Sequence, residues 1–514
     1  MKRRRFLHTA LAGAAMLALP APPVRGATPS LALPPRPPGP RRGPGGRFPD
    51  VPAVTGDGRS ITLRGADLAE LDRAIRGPVL VAGDHGYDDA RRILNPDFDR
   101  YPALVVRPTG PTDVRHAVDF ARDHGGVLLA VKCGGHSYSG QSTCDRGLLL
   151  DLSSFQGVRV DAAARRAFVT GGTLLGLLDH EALGLGLVAP MGTVSHTGVG
   201  GLVTGGGFGR LARRYGLSVD NLASVDVVTA DGRLLHADAE ENPDLFWGVR
   251  GGGGNFGVVT SFDFRLHPFQ RQVVAGEVMW PMARARDVLS LFGEYGPSAP
   301  DELQLDPLMV YPPGGAEGFV GFEVCWSGPE NGLERALAPL RSLGTPLRDS
   351  VERMDYQDLQ RSGDIDDPRA QGQYLKGGFI REMSPALVDA IVTGFEPHPS
   401  RSTVLFAQHA GGAISRVDPT AMAFSQRDVL ANMLCLVGWP HGQDSSGHVA
   451  WTRQFWAPLE PHTWGFYVND LEPDHSAAQV QANYRSNAAR LVTVKNRYDP
   501  GNLFRLNANI VPTV

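Results

Sequence analysis

Cysteine is scarce: the 514-residue chain holds four, Cys133, Cys144, Cys325 and Cys435, and none lies in a CxxC pair. Zinc-knuckle and zinc-ribbon spacings are therefore excluded. Long apolar runs are missing too. The most apolar stretch, residues 11–19, is hemmed in by His8-Thr9 and Pro20 and falls short of the ~20 residues that cross a bilayer. This argues against stable membrane insertion. Neither charge sign dominates. Fifty Lys+Arg against 54 Asp+Glu leave a net charge of −4, which supplies no basic face for nucleic acid. No GxxxxGK[ST] loop occurs, so a P-loop nucleotidase is out. No repeat of 20–50 residues occurs either.

Glycine and proline are abundant, at 63 and 40 residues. They favour strands, turns and backbone-mediated contacts over a helical bundle. The hydrophobic fraction of 42% and charged fraction of 20% are those of a globular protein, and they exclude wholesale disorder.

Residues 1–27 read as an export signal. Lys2 to Arg5 form the charged start, residues 11–19 the apolar centre, and small residues close it near Ala21 or Ala27. Arg3-Arg4 with Phe6-Leu7 resembles a twin-arginine signal, which exports folded proteins to a periplasmic or extracellular location. Residues 28–58, dense in Pro, Gly and Arg, read as a tether. A Cys133–Cys144 disulfide is compatible with export, whereas Cys325 and Cys435 read as buried thiols.

A strand at 103–107 runs to a helix with Thr112 as N-cap and Asp113 in its first turn. The helix carries its apolar face on Val114, Ala117, Val118 and Ala121 and ends at Gly125-Gly126. A strand at 127–132 follows. Further strands are expected at 148–152 and 167–170, a helix at 173–182, and a hairpin pairing 225–229 with 234–237 across Asp231-Gly232. From about residue 270 to 462, strands at 273–280, 319–326, 403–409 and 433–439 alternate with helices at 283–295 and 331–343. This describes an α+β domain inserted into the first. The division is 59–269 and 463–514 for the outer domain and 270–462 for the insert, with a helix at 477–497 in the return.

Three glycine clusters, Gly134-Gly135, Gly198–Gly209 and Gly251–Gly257, follow strand ends. They let backbone N–H groups approach a ligand and form anion-binding concavities. Together they imply a large phosphate-bearing ligand lying across one domain. Gly252-x-Gly254-x-x-Gly257 matches GxGxxG but precedes a strand instead of a helix, so it is not a dinucleotide fingerprint. His136 directly follows Gly134-Gly135. As a loop histidine it caps local structure, binds a metal, or acts as a nucleophile that attaches a cofactor. No second ligand at metal spacing stands nearby.

Four segments carry a resemblance: Tyr101-Pro-Ala-Leu-Val-Val-Arg-Pro with Val131-Lys-Cys-Gly-Gly-His-Ser-Tyr-Ser-Gly140; the second cluster continuing to Leu211-Ala-Arg-Arg-Tyr-Gly-Leu-Ser-Val-Asp-Asn221; Asp244-Leu-Phe-Trp-Gly-Val-Arg-Gly-Gly-Gly-Gly-Asn-Phe-Gly257; and Tyr498-Asp-Pro-Gly-Asn-Leu-Phe-Arg-Leu-Asn-Ala-Asn-Ile510. In order, over about residues 95–514, the chain resembles the berberine-bridge-enzyme-like FAD-linked oxidases of the vanillyl-alcohol-oxidase superfamily. The resemblance implies a two-part PCMH-type FAD-binding domain roofed by the insert. It implies FAD bonded through its 8α-methyl to His136. Gly134, Gly135, Ser137, Tyr138 and Ser139 would cradle the pyrophosphate, with Gly198, Gly201 and Gly205 close under the dinucleotide and Asn507 and Asn509 near the ring.

The chain departs from relatives at informative places. Val194 stands where many carry a second flavin-linking cysteine, so a single link is expected. Phe208 replaces a tyrosine. Leu434 and Cys435 occupy a strand where plant-type relatives place a Glu or Gln base. Tyr467, with a lowered pKa, and Asp470 are the candidate catalytic groups. Gln408 and His409 are candidate substrate contacts. The expected activity is that of an oxidase that moves a hydride from an alcohol, sugar or amine to FAD and then to O₂. The alternatives are a dehydrogenase with another acceptor and a non-catalytic flavin-retaining binding protein.

Overall fold

The computed structural model describes residues 46–315, 317–365, 370–473 and 475–514. The export signal and residues 28–45 of the tether lie outside the described residues. The rest of that tether is not loose chain. Val51–Val54 pairs antiparallel with Ser60–Leu63, and Val51 and Ala53 are buried. The turn closes at Gly58, whose φ of 89° suits glycine. The apolar alternation Val51, Ala53 outweighs the surrounding proline content.

The outer domain contains two larger sheets besides two-stranded pairings. The first orders Val79–Leu80, Leu104–Val106, Leu148–Asp151 and Leu129–Lys132. Leu148–Asp151 lies parallel to both of its neighbours. Its crossover helix, Pro111–Asp123, buries Val114, Ala117, Val118 and Ala121 as the periodicity predicts. The helix starts two residues earlier than expected, with Gly110 as N-cap and Pro111 pre-set at the first helical position. Asp113 instead accepts hydrogen bonds from the backbone N–H groups of Arg76, Gly77 and Thr109. The second sheet is five-stranded and antiparallel. It places Val258–Arg265 between Leu222–Val228 and Arg166–Thr170, with the expected hairpin strand Leu234–Ala237 at one edge.

The eight-stranded antiparallel roof uses only strands from Gln272–Pro281 to Ala431–Pro440. Helices Ala285–Tyr295, Glu330–Arg341, Pro385–Gly394 and Ser446–Trp456 cover one of its faces through a shared apolar core. The other face presents Met279, Leu308, Phe406, Leu434 and Leu436 toward Tyr138 of the first glycine loop. Four roof strands escape the sequence pattern: the short edge strands Arg348–Asp349 and Glu352–Asp355, and two long ones. Leu303–Tyr311 contains Pro307, and Gln371–Ile380 contains Gly377-Gly378. Pro307 is accommodated because the ladder to Ser402–His409 begins only at Leu308.

The C-terminal return is two helices, Ala477–Asn483 and Ala488–Tyr498, in place of the single expected one. Arg485 sits at φ 50° between them and breaks the helical path. All four cysteines are free. Cys133 Sγ points to Thr173 O and Cys144 Sγ to Leu148 O, so the two thiols serve different neighbours.

One buried ion pair pins the return to the outer domain. Lys495 and Asp499 are fully buried. Lys495 Nζ donates to Asp499 Oδ2 (2.6 Å), Asn255 O (2.8 Å) and Phe504 O (3.0 Å). Asp499 accepts the backbone N–H of Leu503 and Phe504. Removing one partner strands the other charge in low dielectric. Lys495→Met is expected to cost about 3–5 kcal/mol, read as a lower urea midpoint with unchanged slope; a loss under about 1 kcal/mol would contradict this role.

Candidate functional site: a glycine-lined cleft with paired imidazoles

A cleft of about 360 Å³ opens between the glycine clusters of the outer domain and the apolar face of the roof. Its floor exists because two loops touch backbone to backbone. A Cβ added to Gly134 would lie 2.4 Å from the N of Gly198, so no larger residue fits there without parting the loops. Gly201, Gly253 and Gly254 line the cleft, and an added Cβ would meet nothing within 4 Å at any of them. The second and third clusters therefore leave open space at the cleft, and Gly134 and Gly135 of the first also line it.

His136 follows the strand Leu129–Lys132 and is held at this floor by His196. His136 Nε2 lies 2.7 Å from His196 Nδ1. The proton positions follow from the third partner. The backbone N–H of Ile365 donates to His196 Nε2 at 3.1 Å, so that nitrogen carries a lone pair and the His196 proton sits on Nδ1. Nδ1–H then donates to His136 Nε2, and the proton of His136 sits on Nδ1, 3.5 Å from Thr197 Oγ1. Burial, followed by the neighbouring His196, pushes His136 down to about 3, and burial lowers His196 as well. Both rings are neutral at neutral pH, and a neutral ring is the nucleophilic form. Asp364 braces the arrangement by accepting from the N–H and hydroxyl of Ser195 (2.9 and 2.5 Å). Nothing in the sequence singled out His196. Its partner Ile365 is 169 residues away along the chain, as is Asp364 from its own partner Ser195.

At the roof end, Asp470 lies in the short helical turn Val468–Asp470. Its Oδ2 accepts from Asn432 Nδ2 at 2.7 Å, and the same amide donates to Gln408 Oε1 at 2.9 Å. Burial pushes the carboxyl up to about 6, against the lowering effect of the Asn432 hydrogen bond. Phe406, Leu434, Val194 and Ile365 supply apolar walls.

Tyr467 also lines the cleft, but its environment opposes the lowered pKa expected from sequence. Burial raises it, the nearby Asp470 charge adds to the rise, and no cation offsets them. Its hydroxyl accepts from Gly207 N (2.7 Å) and Asn469 Nδ2 (2.6 Å). Phe208 packs edge-on against its ring at 5.3 Å. Tyr467 thus braces the second glycine cluster.

Of the residues singled out by sequence, the cleft gathers Gly134, Gly135, His136, Ser137, Tyr138, Ser139, Gly198, Gly201, Gln408, Tyr467, Asp470 and Asn507. Gly205 and Asn509 are not in its lining. Gly205 serves packing, since an added Cβ would strike Asn469 Oδ1. His409 turns the other way along its strand, fully buried against Arg213 Nη1 (2.9 Å) and Gly296 O (3.0 Å). Two lining groups, Ser142 Oγ and Asn507 Oδ1, are buried without a hydrogen-bond partner. Such groups call for a polar ligand.

A family model for an FAD binding domain matches residues 102–238, and one described as berberine and berberine like matches residues 466–511. The chain is 33% identical to an FAD-linked oxidoreductase of Dictyostelium discoideum over 86% of its own length and 96% of the relative's. It is 31% identical to (R)-6-hydroxynicotine oxidase of Paenarthrobacter nicotinovorans, covering 85% and 97%. The crystal structure of 6-hydroxy-D-nicotine oxidase from Arthrobacter nicotinovorans superposes with a TM-score of 0.77 at 28% identity, covering 85% of this chain and 98% of that one.

The raised carboxyl of Asp470 has a stability consequence. Below about pH 4 the folded and unfolded chains both hold its proton. Between the ordinary 3.8 and about 6, only the unfolded chain releases it. The fold therefore loses stability as pH rises, by about 3 kcal/mol in total, and the loss is complete above that window. Asp470→Asn removes this term. Its stability relative to the parent should climb between pH 4 and 6 and then level off in urea unfolding; a difference that is flat with pH would contradict the shift.

Proposed function

The chain belongs to the berberine-bridge-enzyme-like family of FAD-linked oxidoreductases, and on that premise we propose that it is an exported oxidase with covalently held FAD. Its substrate is a small molecule with an alcohol or amine at the reacting carbon, and O₂ is the electron acceptor. The observation that carries the reading is Asp470, a buried carboxyl with a pKa of about 6 that faces the cleft.

The residues present fit FAD. Glycines of all three clusters line the cleft, Gly201, Gly253 and Gly254 with open space beside them, Ser142 Oγ and Asn507 Oδ1 have no polar partner, and a neutral imidazole stands at the floor. The N–H groups at Gly134, Gly135 and Ser137–Ser139 would hold the pyrophosphate, and His136 would carry the covalent link. A bond at Nδ1 would require loss of the proton that this nitrogen carries, and would leave Nε2 with the lone pair that His196 Nδ1–H already serves, so His196 suits the linked form. FAD supplies a hydride acceptor that O₂ can restore, with release of H₂O₂.

Asp470 takes the proton from the substrate O–H or N–H as the neighbouring C–H bond breaks. Asn432 aims the carboxylate and ties it to Gln408, which orients the substrate's polar group. Phe406, Leu434, Ile365 and Val194 exclude water, which strengthens the charge interactions inside. These walls favour a substrate with an apolar body and a single polar group over a hydroxyl-rich sugar. Export is supported by Arg3-Arg4 and the apolar centre that follows.

Two expected outcomes test this. Substrate-dependent peroxide release should rise with pH through about 6 and level off above it. Asp470→Asn should lower kcat about 10²–10⁴-fold and abolish that limb, while Tyr467→Phe keeps it. Reduced flavin that persists for minutes in air would overturn the oxidase assignment in favour of another acceptor. Separately, acid-precipitated protein should stay yellow. His136→Ala should give a colourless pellet and His196→Ala a paler one. Colour released freely from the parent protein would remove the covalent link.

A further inference from the structure

One segment of the insert lies along the cleft wall that leads to His196. Gln360, 1% exposed in the helix Tyr356–Arg361, donates from Nε2 to Gly192 O at 2.6 Å. A Cβ on Gly363 would lie 3.0 Å from Thr193 O. Asp364 accepts from the N–H and hydroxyl of Ser195, and Ile365 N–H donates to His196 Nε2. The segment is a strap with unequal ends. Its Gln360 end is buried, whereas Asp364 is exposed and both of its hydrogen bonds to Ser195 face solvent. Solvent-exposed hydrogen bonds open locally at low cost.

Two neutral proton arrangements are open to the His136–His196 pair, each with one hydrogen across the 2.7 Å contact. With the strap docked, His196 Nδ1–H donates, His136 carries its proton on Nδ1, and His196 Nε2 is bare. In the other arrangement His136 Nε2–H donates to His196 Nδ1. His136 Nδ1 is then bare and His196 Nε2 carries a proton. Only this second arrangement offers a lone pair at the nitrogen that would bond the flavin. It also turns the His196 N–H toward the N–H of Ile365, 3.1 Å away. Two donors in contact each go without an acceptor, which is costly. The docked strap therefore opposes the attacking arrangement.

We propose that His196 relays the proton lost by His136 during flavin attachment, and that the strap docks on His196 only after the link has formed. The inference rests on covalent FAD and adds an order of events to it. With the strap lifted, His196 Nε2 meets solvent and holds a proton. His136 Nδ1 bonds to the 8α carbon, whose C–H proton leaves. His136 Nε2–H passes to His196 Nδ1, and the proton on His196 Nε2 departs to solvent. The electron pair of the broken C–H bond passes to the flavin ring. O₂ removes that pair together with two protons, matching the two released, as H₂O₂. His196 Nε2 ends bare, ready to accept from Ile365 N–H.

Full-length apoprotein from riboflavin-starved cells tests this order. It is mixed in air with saturating FAD, and the acid-stable colour of the pellet is followed with time. Ser195→Ala removes one hydrogen bond of the strap, and Gly363→Ala presses the strap off Thr193 O. Both keep the charge of Asp364 and the two imidazoles. Each variant should attach flavin about two- to tenfold faster than the parent, the weight of one net hydrogen bond, and reach the same final colour. A strap that merely shapes the wall would give slower attachment when loosened. His196→Ala should attach flavin more slowly than the parent. Attachment at the parent's rate or below in both strap variants would overturn the proposal, as would His196→Ala attaching at the parent's rate. A parent that never gains acid-stable colour would overturn the covalent reading itself.

Discussion

Gly134 and Gly198 approach until no side chain fits between their loops, and that contact governs the rest of the site. It fixes the start of the segment carrying His136 against the segment carrying His196, so the two imidazoles meet at 2.7 Å. It also leaves the backbone of both loops facing the cleft. Had either glycine carried a Cβ, the loops would separate and the ring pair would open. The tautomer of the pair is then set from across the cleft by one backbone N–H, that of Ile365. A segment of the inserted domain, following helix Tyr356–Arg361, thus bears on the protonation of a floor residue.

The same dry enclosure acts on three ionisable groups in ways that fit one chemistry. Each loses the solvation that favours its charged form. His136 stays neutral and nucleophilic. Tyr467 stays protonated and braces Gly207. Asp470, helped by one amide donor, ends near neutrality, where it can accept a proton. Burial, tempered by local hydrogen bonds, thus leaves the three groups in the states that the proposed roles of linking residue, brace and base require.

Much of this arrangement was legible in the sequence because it depends on local pattern. The crossover helix follows from the spacing of Val114, Ala117, Val118 and Ala121, and the hairpin after Leu222–Val228 from Asp231-Gly232. The glycine clusters marked the cleft, and the motif order marked the family. What stayed hidden depends on distant partners. His196 acquires meaning only from Ile365 and His136. His409 lost its expected role because strand alternation sends it away from the cleft while Gln408 enters. The lowered pKa expected of Tyr467 failed because no cation accompanies its burial. Strand Leu303–Tyr311 was masked by Pro307, which a sheet tolerates only where the neighbouring ladder has not begun.

The central claim is that the imidazole at the cleft floor is the point where the chain bears its flavin. Mass spectrometry of the proteolytic peptide spanning Cys133 to Arg146 decides it most directly. This peptide should be heavier by one flavin adenine dinucleotide moiety, with fragmentation placing the added mass on His136 and flavin fluorescence co-eluting. An unmodified peptide recovered alongside free dinucleotide, or the added mass on another residue, would contradict it.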